Sequence, residues 1–251
     1  MSEAEWLEVN DSRPMLAFLK GKASDRKLRL VACASCRRFW DDIEKPVHRQ
    51  KITTAEKYAD GAITEKKYLK VCPANAPTQP RNRRTLGELL FFATNALGWP
   101  DSEQPYLDID ESGQVISRPW ETGEYMVRYT LRATMLAAEV IATRNVGPGV
   151  EAGTRLFKQA RQVEYVSQAH LLRDIIRNPF RPVSLDPSWL TSTVVSLATG
   201  IYADSAFDRS PILADALQDS GCQNDELLNH HRGPGPHCKG CWALDLLLGK
   251  S

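Results

Sequence analysis

Apolar residues recur every three or four positions along most of the chain, with polar residues between them. This spacing places the apolar side chains on one face of an α-helix. The clearest case begins at Ser24 or Asp25, either of which can cap a helix, and continues to about Asp42. A stretch at 85–97 opens with a capping box and is apolar on nearly every side, which predicts a helix in the core. The same spacing predicts further helices at about 14–19, 46–60, 64–72, 125–144, 150–177, 187–202, 211–219 and 242–248.

The stretch from Trp99 to Tyr125 departs from helical spacing. It is acidic, contains three prolines, and alternates apolar and polar residues around Glu111-Ser112-Gly113. Alternation on both sides of a turn is typical of a β-hairpin, which we place near 105–118. The sequence therefore predicts an all-α, multi-helix globular protein with a short β-hairpin insertion.

Prolines interrupt the helical pattern between positions 73 and 80, and the residues that follow, up to Arg84, are basic. Such a composition is typical of an exposed linker. A chain of 251 residues is long enough to bury a large core without crosslinks. We therefore expect a single domain, with the following internal division: an N-terminal helical lobe at 1–72, a linker at 73–84 and a main helical lobe at 85–251.

The composition narrows the class of protein. Lys plus Arg is 32 and Asp plus Glu is 31, so the net charge of +1 implies no general affinity for nucleic acids. The N-terminus is acidic where a secretory signal would be basic, and no apolar run approaches the length of a membrane span, about 18 to 20 residues. We expect a cytoplasmic protein without membrane contact, whose six cysteines are thiols or metal ligands rather than disulfides.

The predicted helix at 24–42 carries basic residues on its outer face. With the basic linker residues, they form a candidate nucleic-acid surface, which consists of Arg26, Lys27, Arg29, Arg37, Arg38, Arg81, Arg83 and Arg84. Acidic segments elsewhere in the chain can instead neutralise these charges across packed helices.

Metal-ligand residues cluster near the C-terminus. The chain has six cysteines and five histidines. Six of these residues lie between positions 222 and 242, namely Cys222, His230, His231, His237, Cys238 and Cys241. Structural zinc takes four such ligands, often from a short Cys-x-x-Cys knuckle that contains glycine, and 238–241 has this form. The Gly-Pro-Gly-Pro segment at 233–236 can bend the chain back toward it.

Purely structural roles stay open for these residues. The cysteines can be small core residues, and the histidines can cap helix ends. A second Cys-x-x-Cys pair, Cys33 and Cys36, can donate two more thiolates, but it lies on the apolar face of a predicted helix. There a free cysteine behaves as a small hydrophobic residue.

No enzyme signature is present. The chain lacks a nucleophile elbow, a phosphate-binding glycine loop and an HExxH motif. We therefore predict a non-catalytic interaction or regulatory module, with another protein as its partner and a candidate structural zinc. The alternatives are a nucleic-acid-binding protein and a metal-dependent hydrolase or nuclease, and the latter requires an open coordination position on the metal.

Three stretches are specific enough to be compared with known families. They are RPMLAFLKGKASDRKLRLVACASCRRFW at 13–40, QAHLLRDIIRNPFRP at 168–182, and PILADALQDSGCQNDELLNHHRGPGPHCKGCWALDLLLGK at 211–250. They resemble a family of uncharacterised bacterial proteins that is expanded in planctomycetes. The resemblance covers about a third of the chain and implies that both ends belong to one unit.

The resemblance also bears on the ligands, because the position of Cys238 is often apolar in that family. It implies a zinc ligand set of Cys222, His230, His237 and Cys241. The secondary candidates are His231, Cys238, Cys33 and Cys36. The family has no known activity, so the resemblance implies none for this chain.

Overall fold

The computed structural model describes residues 1–72, 106–109, 115–118, 124–147, 150 and 153–251. These residues form two compact units. The terminal unit consists of Met1–Met15 and Tyr165–Ser251, and the central unit consists of Leu16–Glu164. The linker predicted at 73–84 lies outside the described residues, so the predicted division into lobes stays a prediction.

The protein is all-α, as the periodicity predicts. Over the described part of the chain, the helices are α1 Glu3–Glu8, α2 Ser12–Phe18, α3 Asp25–Arg37, α4 Pro46–Ala59, α5 Glu65–Val71, α6 Glu124–Val146, α7 Arg155–Ile176, α8 Ser192–Asp204, α9 Ser210–Asp219, α10 Asp225–Arg232 and α11 Trp242–Leu247. Short 3-10 turns lie at Trp40–Asp42, Pro187–Trp189 and Phe207–Arg209. None of these helices is long and apolar enough to cross a membrane.

Two strands stand where the hairpin is predicted. Strand β1, Tyr106–Ile109, pairs antiparallel with β2, Val115–Arg118. Tyr106 lies opposite Arg118, and Ile109 lies opposite Val115. The core helix predicted at 85–97 lies outside the described residues. Helices α1 and α10 are not among the predicted helices, because both are short and mostly polar.

The core of the central unit forms where α3 packs against α4 and α6. Ser24 caps the N-terminus of α3, because its Oγ accepts a hydrogen bond from the backbone N–H of Lys27, 3.3 Å away. The predicted cap is therefore present. The apolar face of α3 brings Cys33 and Cys36 into this core, where both are buried.

The predicted basic outer face of α3 is wrong for Arg29, which is only 4% exposed. Its guanidinium donates to the hydroxyl of Tyr68 at 2.6 Å. The other arginines of α3 and its C-cap residue Arg38 pair with carboxylates: Arg26 with Asp60, Arg37 with Glu56, and Arg38 with Glu164. These pairs neutralise the charge within the central unit. Arg81, Arg83 and Arg84 lie outside the described residues, so the nucleic-acid alternative stays a prediction.

The terminal unit has its own core, in which α8, α9, α10 and α11 bury mostly leucine and alanine side chains. Helix α1 is attached to α7 through Arg173. The Nε and Nη2 atoms of Arg173 donate to the carbonyl of Trp6 at 3.0 and 2.7 Å, and Nη2 also donates to the carbonyl of Val9 at 2.7 Å. This attachment fixes the N-terminal segment against the last turns of α7.

Candidate metal centre

Four side chains of the terminal unit converge on one point. They are Asp174, His230, His237 and Cys241, and each offers one ligand atom. All four atoms lie within 4.8 Å of one another. Asp174 belongs to the last turns of α7, His230 to the last turn of α10, and Cys241 immediately precedes α11. Segments distant in the sequence are therefore brought together here.

Local signals in the sequence position the two histidines. Asn224 caps α10, because its Oδ1 accepts a hydrogen bond from the backbone N–H of Leu227 at 2.9 Å. The helix then ends before Gly233. The chain turns back at Gly235, where φ is +87°, and a Cβ there would lie 2.9 Å from the backbone nitrogen of His237. The bend predicted at 233–236 thus depends on a residue without a side chain.

The distances between the ligand atoms suit a small tetrahedral ion. His230 Nε2 lies 3.0 Å from Cys241 Sγ and 3.2 Å from Asp174 Oδ1. His237 Nδ1 also lies 3.2 Å from Asp174 Oδ1. Bond lengths of about 2.0 to 2.3 Å to zinc would place neighbouring ligand atoms about 3.3 to 3.6 Å apart in a tetrahedron. For these three pairs, an outward shift of a few tenths of an ångström would give the tetrahedral spacing.

Asp174 is the centre of the hydrogen-bond network. Its Oδ1 faces both histidines, and its Oδ2 accepts from the backbone N–H of Cys238 at 3.1 Å and from the Cys238 thiol at 3.2 Å. Burial alone would raise the pKa of Asp174, but hydrogen bonds from His230 and His237 outweigh it and hold the pKa below its usual value. The carboxylate is therefore ionised and ready to bind a cation.

Asp174 also affects the pKa values of two other candidate ligands, His237 and Cys241. Burial would lower the pKa of His237, yet its hydrogen bond to Asp174 raises the net value. Burial raises the pKa of the Cys241 thiol far above its usual value, and the charge of Asp174 adds to the effect. A metal that binds here must therefore displace the thiol proton, as thiolate coordination requires.

Trp242 determines which nitrogen of His230 carries the proton. The indole Nε1–H lies 3.1 Å from His230 Nδ1. An indole N–H can only donate, so Nδ1 accepts and the ring proton is on Nε2. A metal at Nε2 requires the opposite tautomer, with the proton on Nδ1. Metal binding must therefore break the hydrogen bond from Trp242.

We expect the substitution Trp242→Phe to raise zinc affinity, because it removes the hydrogen bond that favours the metal-free tautomer. A net hydrogen-bond free energy of about 1 kcal/mol corresponds to roughly a fivefold change in affinity. Competition with a zinc-binding indicator dye measures the change. Trp189→Phe is the matched control, since Trp189 packs against the same core but makes no hydrogen bond to His230. Weaker binding by Trp242→Phe alone would mean that Trp242 supports the metal-bound state.

The structure brings three of the four residues of the predicted ligand set together and leaves out Cys222. That cysteine is 2% exposed and lies in the apolar core of the terminal unit. Asp174 is the fourth member of the cluster instead. Cys222 follows the end of α9, and its backbone N–H donates to the carbonyl of Leu217. The tight turn there directs it into the core.

The secondary candidates lie in different surroundings. Cys238 contacts Asp174 and so supports the cluster from outside it. His231 is fully buried, and among the described residues neither of its ring nitrogens has a hydrogen-bond partner. Burial lowers the pKa of His231 to about 3, so the ring is neutral. Cys33 and Cys36 belong to the core of the central unit, where burial raises the pKa of both thiols.

Sequence reasoning missed Asp174, although a signal was present. Leu171 and Ile175 are buried on the apolar side of α7, and Asp174 lies between them at helical spacing. A carboxylate on the buried face of a helix is rare unless it is paired or binds a cation. That position alone marks Asp174 as a candidate ligand.

Comparison of the chain with models of protein families, with curated proteins and with solved structures finds no match. The resemblance to the bacterial family therefore stays a prediction. Function is accordingly inferred from the geometry of the site itself.

Proposed function

We propose that the protein is a non-catalytic helical binding or regulatory module whose terminal unit holds one structural zinc ion. The observation that carries the proposal is the convergence of Asp174, His230, His237 and Cys241 within 4.8 Å. The ion would be held by one thiolate, two imidazoles and one carboxylate. It would join the end of α7 to the end of α10 and to the start of α11.

The donor set supports zinc over other common ions. Calcium and magnesium take oxygen ligands almost exclusively, and here only Asp174 supplies oxygen. Zinc accepts sulfur, nitrogen and oxygen in tetrahedral sites. Cys238 is an outer partner of the site, because its backbone N–H donates to Asp174 Oδ2.

The number of donors supports a structural role. Catalytic zinc keeps one position for water or substrate, whereas structural zinc is filled by four protein ligands. Here the protein supplies four, and three of them have side chains that are less than 10% exposed, namely Asp174, His237 and Cys241. The hydrolase alternative needs an open position, which this donor set does not offer. The nucleic-acid alternative is weakened by the ion pairs that neutralise Arg26, Arg37 and Arg38.

Metal analysis of the purified full-length protein tests the proposal. We expect one zinc per chain by plasma mass spectrometry, in protein prepared without a histidine tag. Removal of zinc by a strong chelator should lower the midpoint of thermal unfolding, and added zinc should restore it. Zinc at about 100 times its Kd would stabilise the folded state by about 2.7 kcal/mol.

Hydrogen exchange gives the local readout, because two compact units need not unfold together. Amide protection should fall on chelation in α10 and α11 and stay unchanged in α3 and α4. Protein that carries no metal, and whose unfolding and exchange do not respond to added zinc, would refute the structural site.

A further inference from the structure

A cavity of about 210 Å³ adjoins the metal cluster. The end of α7, the end of α10 and the bend at 233–236 form its walls, and Asp174, His230 and His237 line it from the side of the cluster. Pockets for drug-sized ligands measure about 300 to 1,000 Å³. Because its volume lies below that range, this cavity suits a smaller guest.

Arg173 supplies a positive charge to this cavity. Its Nε and Nη2 atoms are engaged with the carbonyls of Trp6 and Val9, whereas Nη1 makes no hydrogen bond within the described part of the chain. No carboxylate pairs with Arg173 among the described residues. Arg173 lines the cavity, and over the described residues its guanidinium keeps two N–H donors without a protein partner and a charge without a paired carboxylate.

Two more polar side chains line the cavity, His170 and Asn229. Both are exposed, and over the described residues neither side chain has a protein hydrogen-bond partner. An amide and an imidazole can each donate one hydrogen bond or more to a guest. Together with Arg173, they offer donors from α7 and α10 to the same volume.

The charge balance favours an anion. Asp174 is the one carboxylate that lines the cavity among the described residues, and its oxygens are already engaged by His230, His237 and Cys238. Bound zinc, with one thiolate and one carboxylate, would be neutral. The charge of Arg173 would then dominate the cavity. This neutrality rests on the proposed zinc site, whereas the geometry of Arg173, His170 and Asn229 does not.

We infer that this cavity is a binding site for a small oxyanion, with Arg173 as its charged anchor and with Asn229 and His170 as further hydrogen-bond donors. A planar guanidinium recognises the oxygens of phosphate and carboxylate groups well. A free ion or a terminal carboxylate fits the volume. The site makes the terminal unit responsive to an anionic ligand, which suits a regulatory module.

Titration calorimetry on the full-length zinc-containing protein tests this inference, with inorganic phosphate and acetate as separate probes. Arg173 itself is a poor target, because it also attaches α1 to α7. Asn229 is the better one, because it is exposed. Asn229→Asp should weaken anion binding about tenfold or more, since it places a like charge within a few ångströms of the guest. Asn229→Lys should strengthen it severalfold.

Gln223 provides matched controls, because it is exposed in the same unit and does not line the cavity. Gln223→Glu and Gln223→Lys introduce the same charges and should change anion affinity less than about twofold. Saturable anion binding that weakens with a negative charge at 229 and strengthens with a positive one supports the site. The probe that binds more tightly identifies phosphate or carboxylate as the preferred group. Absence of saturable binding for both probes, or equal effects at 223 and 229, would overturn it.

Zinc content is measured on every variant, so that failure of the zinc proposal can be distinguished from failure of the anion-site proposal. If the protein holds no zinc, anion binding with the expected pattern at 229 still supports the cavity. If zinc is bound but neither anion binds, only the cavity is refuted.

Discussion

Cys241→Ser is expected to lower zinc affinity by at least about 100-fold, so that the purified variant contains almost no zinc. Loss of an outer partner of a zinc ligand already costs about 10- to 100-fold in affinity, and Cys241 is a candidate ligand itself. A serine hydroxyl is a far weaker zinc donor than a thiolate. The measurements are zinc per chain after gel filtration and the thiolate-to-metal charge-transfer band after cobalt substitution.

Cys222→Ser is the control for this experiment. Cys222 is 2% exposed and Cys241 is 0% exposed, and both belong to the core of the same unit. Both substitutions place a hydroxyl in an apolar core and should destabilise the protein to a similar extent. Only Cys241→Ser should remove zinc and the cobalt band. Equal zinc content in the two variants would show that Cys241 is not a ligand, and loss of zinc in Cys222→Ser alone would restore the ligand set implied by the family resemblance.

Asp174→Asn is expected to have the second large effect. The amide matches the shape of the carboxylate but has no charge, so we expect zinc affinity to fall by at least about 100-fold. The substitution also breaks a buried charged network. If the amide oxygen faces the histidines, the NH2 group faces Cys238 and cannot accept its hydrogen bonds. Removal of one partner from such a network costs roughly 3 kcal/mol of unfolding free energy.

Asp245→Asn separates the loss of metal from the loss of stability. Asp245 is 1% exposed, lies in α11 of the same unit, and is not a member of the metal cluster. This variant should lose stability but keep its zinc. Should Asp174→Asn also retain one zinc per chain with unchanged affinity, the carboxylate is a hydrogen-bond acceptor only, and three protein ligands would leave an open position of the kind that a hydrolase needs.

Asp174 also has a role in the metal-free protein. It accepts hydrogen bonds from both histidines and from Cys238, so it holds the cluster together before any ion binds. The preorganisation of the site therefore depends on the same residue that would neutralise the ion. These hydrogen bonds offset the cost of burying a carboxylate in the interior of the terminal unit.

Local sequence determined the helical class of this protein, because helical periodicity and end signals act over a few residues. The Ser24 cap, the hairpin region and the bend before His237 are examples in which a short stretch was sufficient. The clustering of cysteine and histidine near the C-terminus also marked His230, His237 and Cys241 as candidate ligands. Each of these inferences needed only neighbours in the sequence.

Tertiary packing decided the rest. Asp174 lies far upstream of the histidines, and only the arrangement of α7 beside α10 brings its oxygen to them. Cys222 and His231 belong to the same sequence cluster as the candidate ligands, yet packing buries them away from the convergence point. The sequence pattern places the charged residue Arg29 on the outer face of its helix, but it is buried against Tyr68. Periodicity determines which side chains share a face of a helix. The contacts of that face depend on how distant segments of the chain pack against it. The donor set of a metal site depends on those contacts.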